Sequence, residues 1–142
     1  MTHTHPIRVY YEDTDLAGIV YYANYLKFIE RGRSEWVRAL GLDQAALRAA
    51  GDGVFAVRRV VAEYRAPAHF DDLLDVTTEY LSHSGARLIL RQQVLRGERL
   101  LFEAEVTLVC LGETGRPQPL PRALLARIDE IPAKYALHKR KV

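Results

Sequence analysis

Cysteine is almost missing from this chain: the lone Cys110 cannot form an internal disulfide, and inside L-F-E-A-E-V-T-L-V-C-L it reads as a small core residue. Long hydrophobic runs are missing as well, since none approaches the roughly 18 residues of a membrane-spanning helix. The N-terminal stretch MTHTHPIRV has no apolar segment of a secretory leader, so the expected location is the cytoplasm. Charge of one sign is scarce: 20 Lys and Arg face 18 Asp and Glu, a net charge of +2 that is too balanced to argue for nucleic acid even with the basic end at His138–Val142. A G-x-G-x-x-G phosphate loop is lacking, and Gly51 and Gly53 are too few to replace it. The five histidines, His3, His5, His69, His83 and His138, make no helical metal pair and none adjoins a G-x-S-x-G elbow. Nucleotide hydrolysis, zinc catalysis and a serine triad are therefore set aside, and neither a metal nor a bound cofactor is expected. Asp13 and Asp15 could face the same way on an extended segment, but no third acid is suitably spaced to complete a hard-cation site.

What is present suits one globular domain. The 142 residues are 49% hydrophobic and 27% charged, enough to bury a core unaided, and read as a single unit over 1–142 with 1–6 and 136–142 as flexible tails. Ile7, Val9 and Tyr11 alternate as in a half-buried strand that stops where the acids begin. Three- and four-residue spacings then predict a long helix ending near Gly41, with Leu26, Ile29, Trp36, Val37 and Leu40 as its apolar stripe and Gly32 marking close packing against a neighbour. A second, short helix capped by Asp43 follows. Val54–Tyr64, Leu74–Leu81, Ala86–Arg96 and Leu100–Leu111 read as strands, the last two joined by a hairpin at Gly97, and Leu124, Leu125 and Ile128 predict a small helix over Arg122–Ile131. This order implies an α+β domain in which an antiparallel sheet wraps one central helix, with edges that favour pairing with a second copy.

The chemistry-bearing stretch is Y11-E-D-T-D-L-A-G-I-V-Y-Y-A-N-Y-L-K-F-I-E-R-G-R33. Gly18 lets the backbone turn from Asp15 toward the helix, whose opening N–H groups and positive dipole end can bind an anion or a carbonyl oxygen becoming negative. A carboxylate beside such a cradle suits acyl transfer. A thioester is the plausible substrate, because its thiolate leaves without a histidine acid. By spacing alone, however, Asp15 is also an ordinary turn or cap residue, Glu30 a surface partner of Lys27 or Arg33, and the tyrosines core or interface rings.

That stretch resembles the signature of hot-dog-fold acyl-CoA thioesterases of the 4-hydroxybenzoyl-CoA thioesterase type, and within them the YbgC branch associated with the Tol-Pal envelope system. The shared pattern is D-x-D, two residues, Gly, an apolar pair, an aromatic, then N-Y-L-x-F-x-E-x-x-R, and the resemblance continues more weakly through A62-E-Y-R-A-P-A-H-F-D-D72. It implies a hot-dog fold and hydrolysis of an acyl-CoA to free acid and CoA. It also implies that Asp15 is general base or nucleophile, that Asp13 is its organising neighbour, and that the backbone N–H of Tyr22, at the helix start, is the oxyanion donor. Gly18, Tyr25 and Glu30 match positions that shape or brace the pocket. Many chains of the YbgC branch carry His at the position of Tyr22, which bears on substrate preference. A homodimer or homotetramer with sites between subunits is implied too. Arg65, Arg87 and Arg91 are candidates for the CoA phosphates. The rival reading is a non-catalytic scaffold for acyl carrier protein or Tol-Pal partners. The tyrosine-rich motif points weakly to flat or short acyl groups.

Overall fold

The computed structural model describes residues 2–130. Five strands form one antiparallel sheet: β1 (Thr2–Arg8), β2 (Val54–Tyr64), β3 (Leu73–Ser84), β4 (Arg87–Arg96) and β5 (Arg99–Leu111), in the spatial order β1-β3-β4-β5-β2. Three helices complete the chain: α1 (Asn24–Ala39), α2 (Gln44–Ala49) and α3 (Arg122–Asp129). Strict alternation builds the inner face, with Leu74, Val76, Thr78, Tyr80 and Ser82 of β3 buried in step with Leu88, Leu90, Gln92 and Val94 of β4. The helix α1 packs across that face.

Its packing explains a glycine in mid-helix. A Cβ on Gly32 would lie 2.6 Å from Val76 Cγ1, so the helix can approach the sheet this closely only without a side chain there. A buried polar pin holds the approach. Gln92 Nε2 donates to the Ile29 carbonyl at 2.8 Å and to Thr78 Oγ1 at 2.9 Å, while its Oε1 accepts from Arg33 at 3.1 Å. The amide is fully enclosed, and all its strong positions are filled, as burial of a polar group requires. Asp43 caps α2 through bonds from the amides of Ala45 and Ala46, and Gly41 takes φ 81° just past α1, so both helix ends lie where the sequence puts them.

Three expectations need correction. Residues 2–6 are not a tail: Thr2–Arg8 pairs along its length with β3, from Thr2 opposite Glu79 to Arg8 opposite Leu73, and the strand ends before Tyr11. Backbone pairing drives this edge strand, and Thr and His alternating with each other leave no apolar period to reveal it. In α1 the buried residues are Asn24, Tyr25, Phe28, Ile29, Gly32, Trp36 and Val37, whereas Leu26 is 42% exposed and Leu40 only half-buried. The curved sheet contacts a broader band of the helix than a narrow stripe, and that band is rotated away from Leu26. The expected tail from residue 136, and Ile131 of the last helix, lie outside the described residues.

Candidate active site

The two acids of D13-T-D15 are placed in opposite surroundings. Asp13 is buried, and its carboxylate accepts the Tyr10 amide at 2.8 Å through Oδ2 and Asn24 Nδ2 at 2.9 Å through Oδ1. Its carbonyl also accepts the Tyr21 amide at 2.9 Å. One residue thus ties the exit of β1 to the first residue of α1. Asp15 is exposed. Its Oδ1 accepts the Ala17 amide at 2.9 Å, its carbonyl accepts the Gly18 amide, and its own amide donates to the Ile19 carbonyl, closing a tight loop in which Gly18 takes φ 80°. Thr14 and Val20 bridge the base of that loop. The carboxylate of Asp15 is therefore fixed at one oxygen while the side chain remains open to a substrate.

A second loop supports the first from behind. Val20 donates to the Ala68 carbonyl, Ile19 bridges His69, and Val9 donates to the Asp72 carbonyl. Asp72 anchors this loop by accepting the His69 amide and Arg96, both at 2.8 Å. Burial alone would raise the Asp72 carboxyl, but the His69 amide and the Arg96 guanidinium outweigh it and hold the group below its ordinary value. His69 thus comes beside the Asp15 loop, yet its ring lies near Asp72, at 3.9 Å.

Tyr22 does not stand in the helix. The first residue of α1 is Asn24, with Ala23 as an N-cap that makes no side-chain cap bond, so Tyr22 sits in the turn just before it. The Tyr21 amide is used toward Asp13 and the Asn24 amide toward the Tyr21 carbonyl, whereas the amides of Tyr22 and Ala23 between them have no backbone acceptor among the described residues. The turn is held by Tyr64 of β2, whose hydroxyl donates to the Tyr22 carbonyl at 3.0 Å. Burial, with Tyr22 adding to it, raises the Tyr64 phenol above its ordinary value, so the donor proton stays in place at neutral pH. Underneath, Tyr25 stacks on Phe102 at 5.0 Å and meets Tyr64 edge-on at 5.6 Å.

The remaining sequence candidates separate. Tyr25 is buried, and its hydroxyl accepts the Ala68 amide at 3.1 Å; it braces the two loops from the core and does not line an open site. Glu30 is exposed on α1, accepts the Ser34 hydroxyl at 2.8 Å, and borders a cavity farther along the helix. Arg65 is paired with Glu103 at 3.1 Å and Arg91 with Glu79 at 2.6 Å, both on the exposed surface, while Arg87 stands exposed at the start of β4. Sequence reading missed Asn24, Tyr64 and Gln92. The Asn24 side chain lies in the quoted motif and could have been noticed as a partner for an acid; the other two act across the fold and leave no local signal. Among the described residues, no group of three or more His, Cys, Asp or Glu side chains is arranged to hold a metal ion.

A model of the thioesterase-like superfamily matches residues 9–128. The acyl-CoA thioester hydrolase YbgC of Escherichia coli is 42% identical over 127 residues, covering 88% of this chain and 94% of that protein. A probable thioesterase from Bartonella henselae superposes with a TM-score of 0.81 at 39% identity, over 85% of this chain and all of the other. The 1,4-dihydroxy-2-naphthoyl-CoA thioesterase Slr0204 from Synechocystis gives a TM-score of 0.84 at 26% identity, over 92% of this chain and 98% of that one.

Proposed function

Because this chain belongs to the thioesterase-like superfamily and is a hot-dog-fold thioester hydrolase, we propose that its substrate is an acyl-CoA, cleaved to a free acid and CoA with Asp15 and the Tyr22 amide at the reacting carbonyl. The observation that supports the reading is that an exposed carboxylate, steadied at one oxygen, and a turn before α1 whose Tyr22 and Ala23 amides have no backbone acceptor are both carried by the segment tied down by Asp13.

In the general-base route, water gives its proton to Asp15 as its oxygen bonds to the thioester carbon, and the carbonyl electrons move onto oxygen against the Tyr22 N–H. Collapse breaks the C–S bond, and CoA leaves as thiolate and takes up the proton. In the nucleophilic route Asp15 itself bonds to that carbon, expels the thiolate, and the resulting anhydride is opened by water. The geometry supports both. It gives no residue a phosphate contact with CoA; Arg87 is the one sequence candidate without an ion-pair partner among the described residues.

The reading includes a homodimer. The strand β2 is a sheet edge of eleven residues that exposes Val57, Val61 and Tyr64, beside exposed Tyr21, Tyr22 and Leu26 of the site region. A long apolar edge next to the Asp15 loop suits a second copy that encloses the site. No helix among the described residues is long and apolar enough to cross a membrane.

The testing experiment is thiol release from acyl-CoA and aryl-CoA thioesters by the wild type and Asp15→Asn. Turnover by the wild type alone supports the proposal, and a wild type inert on every thioester would favour a scaffold for acyl carrier protein or Tol-Pal partners. Tyr64→Phe provides a finer check. It keeps the ring stack but deletes the bond to the Tyr22 carbonyl, so kcat should fall roughly tenfold through a loosened donor turn, with KM and thermal stability nearly unchanged.

A further inference from the structure

A cavity of 120 Å³ lies beneath α1, walled by Trp36, Phe55, Leu88, Leu90, Leu108 and Leu124, and reached past Glu30, Arg33 and Val57. Those last three residues also line an open cleft of 350 Å³ between α1 and β2, which begins at Leu26 in the first turn of the helix. Cleft and cavity therefore share a mouth, and the cleft starts beside the Tyr22 turn. From Asn24 to Arg33 the path follows about 14 Å of helix.

The polar heads at the mouth are tied aside. Glu30 holds Ser34, and Arg33 donates to Gln92, so neither side chain has to close the opening to satisfy its bonds. Val57 is 49% exposed and lies at the irregularity in the pairing of β2 with β5, where the edge strand bends. Beyond it the walls are mostly hydrocarbon, with Ser34 and Gln44 the polar side chains among them. A mostly apolar cavity of this size takes apolar guests and has room for about four saturated chain carbons, whereas a ring attached directly to the reacting carbonyl stays at the head of the cleft and gains nothing from it.

We infer that the cleft and cavity together form the acyl-chain channel of this enzyme, which selects long, unbranched, saturated acyl groups over aryl groups, the chain end filling the space under α1. This rests on the acyl-CoA reading above and departs from the flat or short acyl groups to which the tyrosine-rich motif points. The tyrosines do not line the channel: Tyr25 is in the core, and Tyr22 and Tyr64 hold the turn at its head.

The test is kcat/KM for a saturated series from acetyl-CoA to octadecanoyl-CoA, with benzoyl-CoA alongside, in the wild type, in Val57→Phe to plug the mouth, and in Leu47→Ala to widen the cavity from α2. In the wild type, values should climb by about fourfold for each carbon that enters the cavity, then level off, with benzoyl-CoA well below the best chain. Val57→Phe should lower the ratio of long-chain to acetyl turnover at least tenfold; Leu47→Ala should move the optimum to longer chains. Turnover that depends on Asp15 but shows no chain-length dependence, that is fastest on benzoyl-CoA, or that keeps one chain-length profile in all three proteins overturns the channel and leaves the hydrolase reading standing. Absence of turnover on every thioester would instead remove the reading on which the channel rests.

Discussion

Replacing Asp15 with asparagine is expected to lower kcat for acyl-CoA hydrolysis by roughly a thousandfold, within the range that a positioned acid–base group contributes. The substitution is nearly isosteric, and the amide oxygen can still accept the Ala17 N–H, so the loop should keep its shape. What is lost is the basic, nucleophilic oxygen. Because Asp15 is exposed and makes no long-range contact through its side chain, the melting temperature should stay within a degree or so of the wild type. Thiol release and thermal unfolding measured on the same preparation check both halves: a variant that is stable and nearly as active as the wild type would remove Asp15 from the chemistry.

Asp13→Ala should behave in the contrary way, with a large loss of stability. A buried donor, Asn24 Nδ2, and a partly buried one, the Tyr10 amide, lose their acceptor, and water cannot readily replace it in a site where Asp13 is 6% exposed. Each orphaned donor costs on the order of 1–3 kcal/mol, so a total near 3 kcal/mol is expected. Urea unfolding should show a lower midpoint with an unchanged slope. Activity should fall as well, since Asp13 joins the end of β1 to the start of α1 and so sets where the Tyr22 amide lies relative to Asp15. A stability unchanged within 1 kcal/mol would show that the two bonds contribute little.

These two substitutions separate acids that a sequence presents as equals. In D13-T-D15 both carboxylates sit in the same local pattern, and only three-dimensional placement shows one enclosed by donors and the other held at the lip of a loop. Much of the fold was legible because it is written locally: the Asp43 cap, Gly41 past the long helix, Gly97 in the hairpin and the alternation of β3 and β4 all announce themselves within a few residues. The edge strand Thr2–Arg8 was hidden because its stabilisation comes from pairing with β3, and an edge of Thr and His carries no core-facing signal. The central pin was hidden for another reason. Gln92 and the Ile29 carbonyl are 63 residues apart, and Tyr64 and the Tyr22 carbonyl 42, so no window of sequence contains either bond. The same distance effect hid the bracing bond of Tyr25, whose hydroxyl is used by an amide 43 residues away, and the ion pairs of Arg65 and Arg91, whose acidic partners lie on neighbouring strands.

Exposure of Asp15 on the single chain fits the proposed dimer, in which a second copy pairs along β2 and encloses the loop. The apolar side chains at that edge and around the Tyr22 turn would then be buried together with the substrate, and water would be excluded from the reacting carbonyl.

The most direct measurement is a crystal structure with an S-(2-oxoalkyl)-CoA, in which a methylene separates the sulfur from the carbonyl and hydrolysis cannot occur. The carbonyl oxygen is expected at about 2.7–3.1 Å from the Tyr22 amide, with the Asp15 carboxylate facing the carbonyl carbon. A carbonyl bound elsewhere, or one whose oxygen is held by other donors while Asp15 points away, would contradict that arrangement.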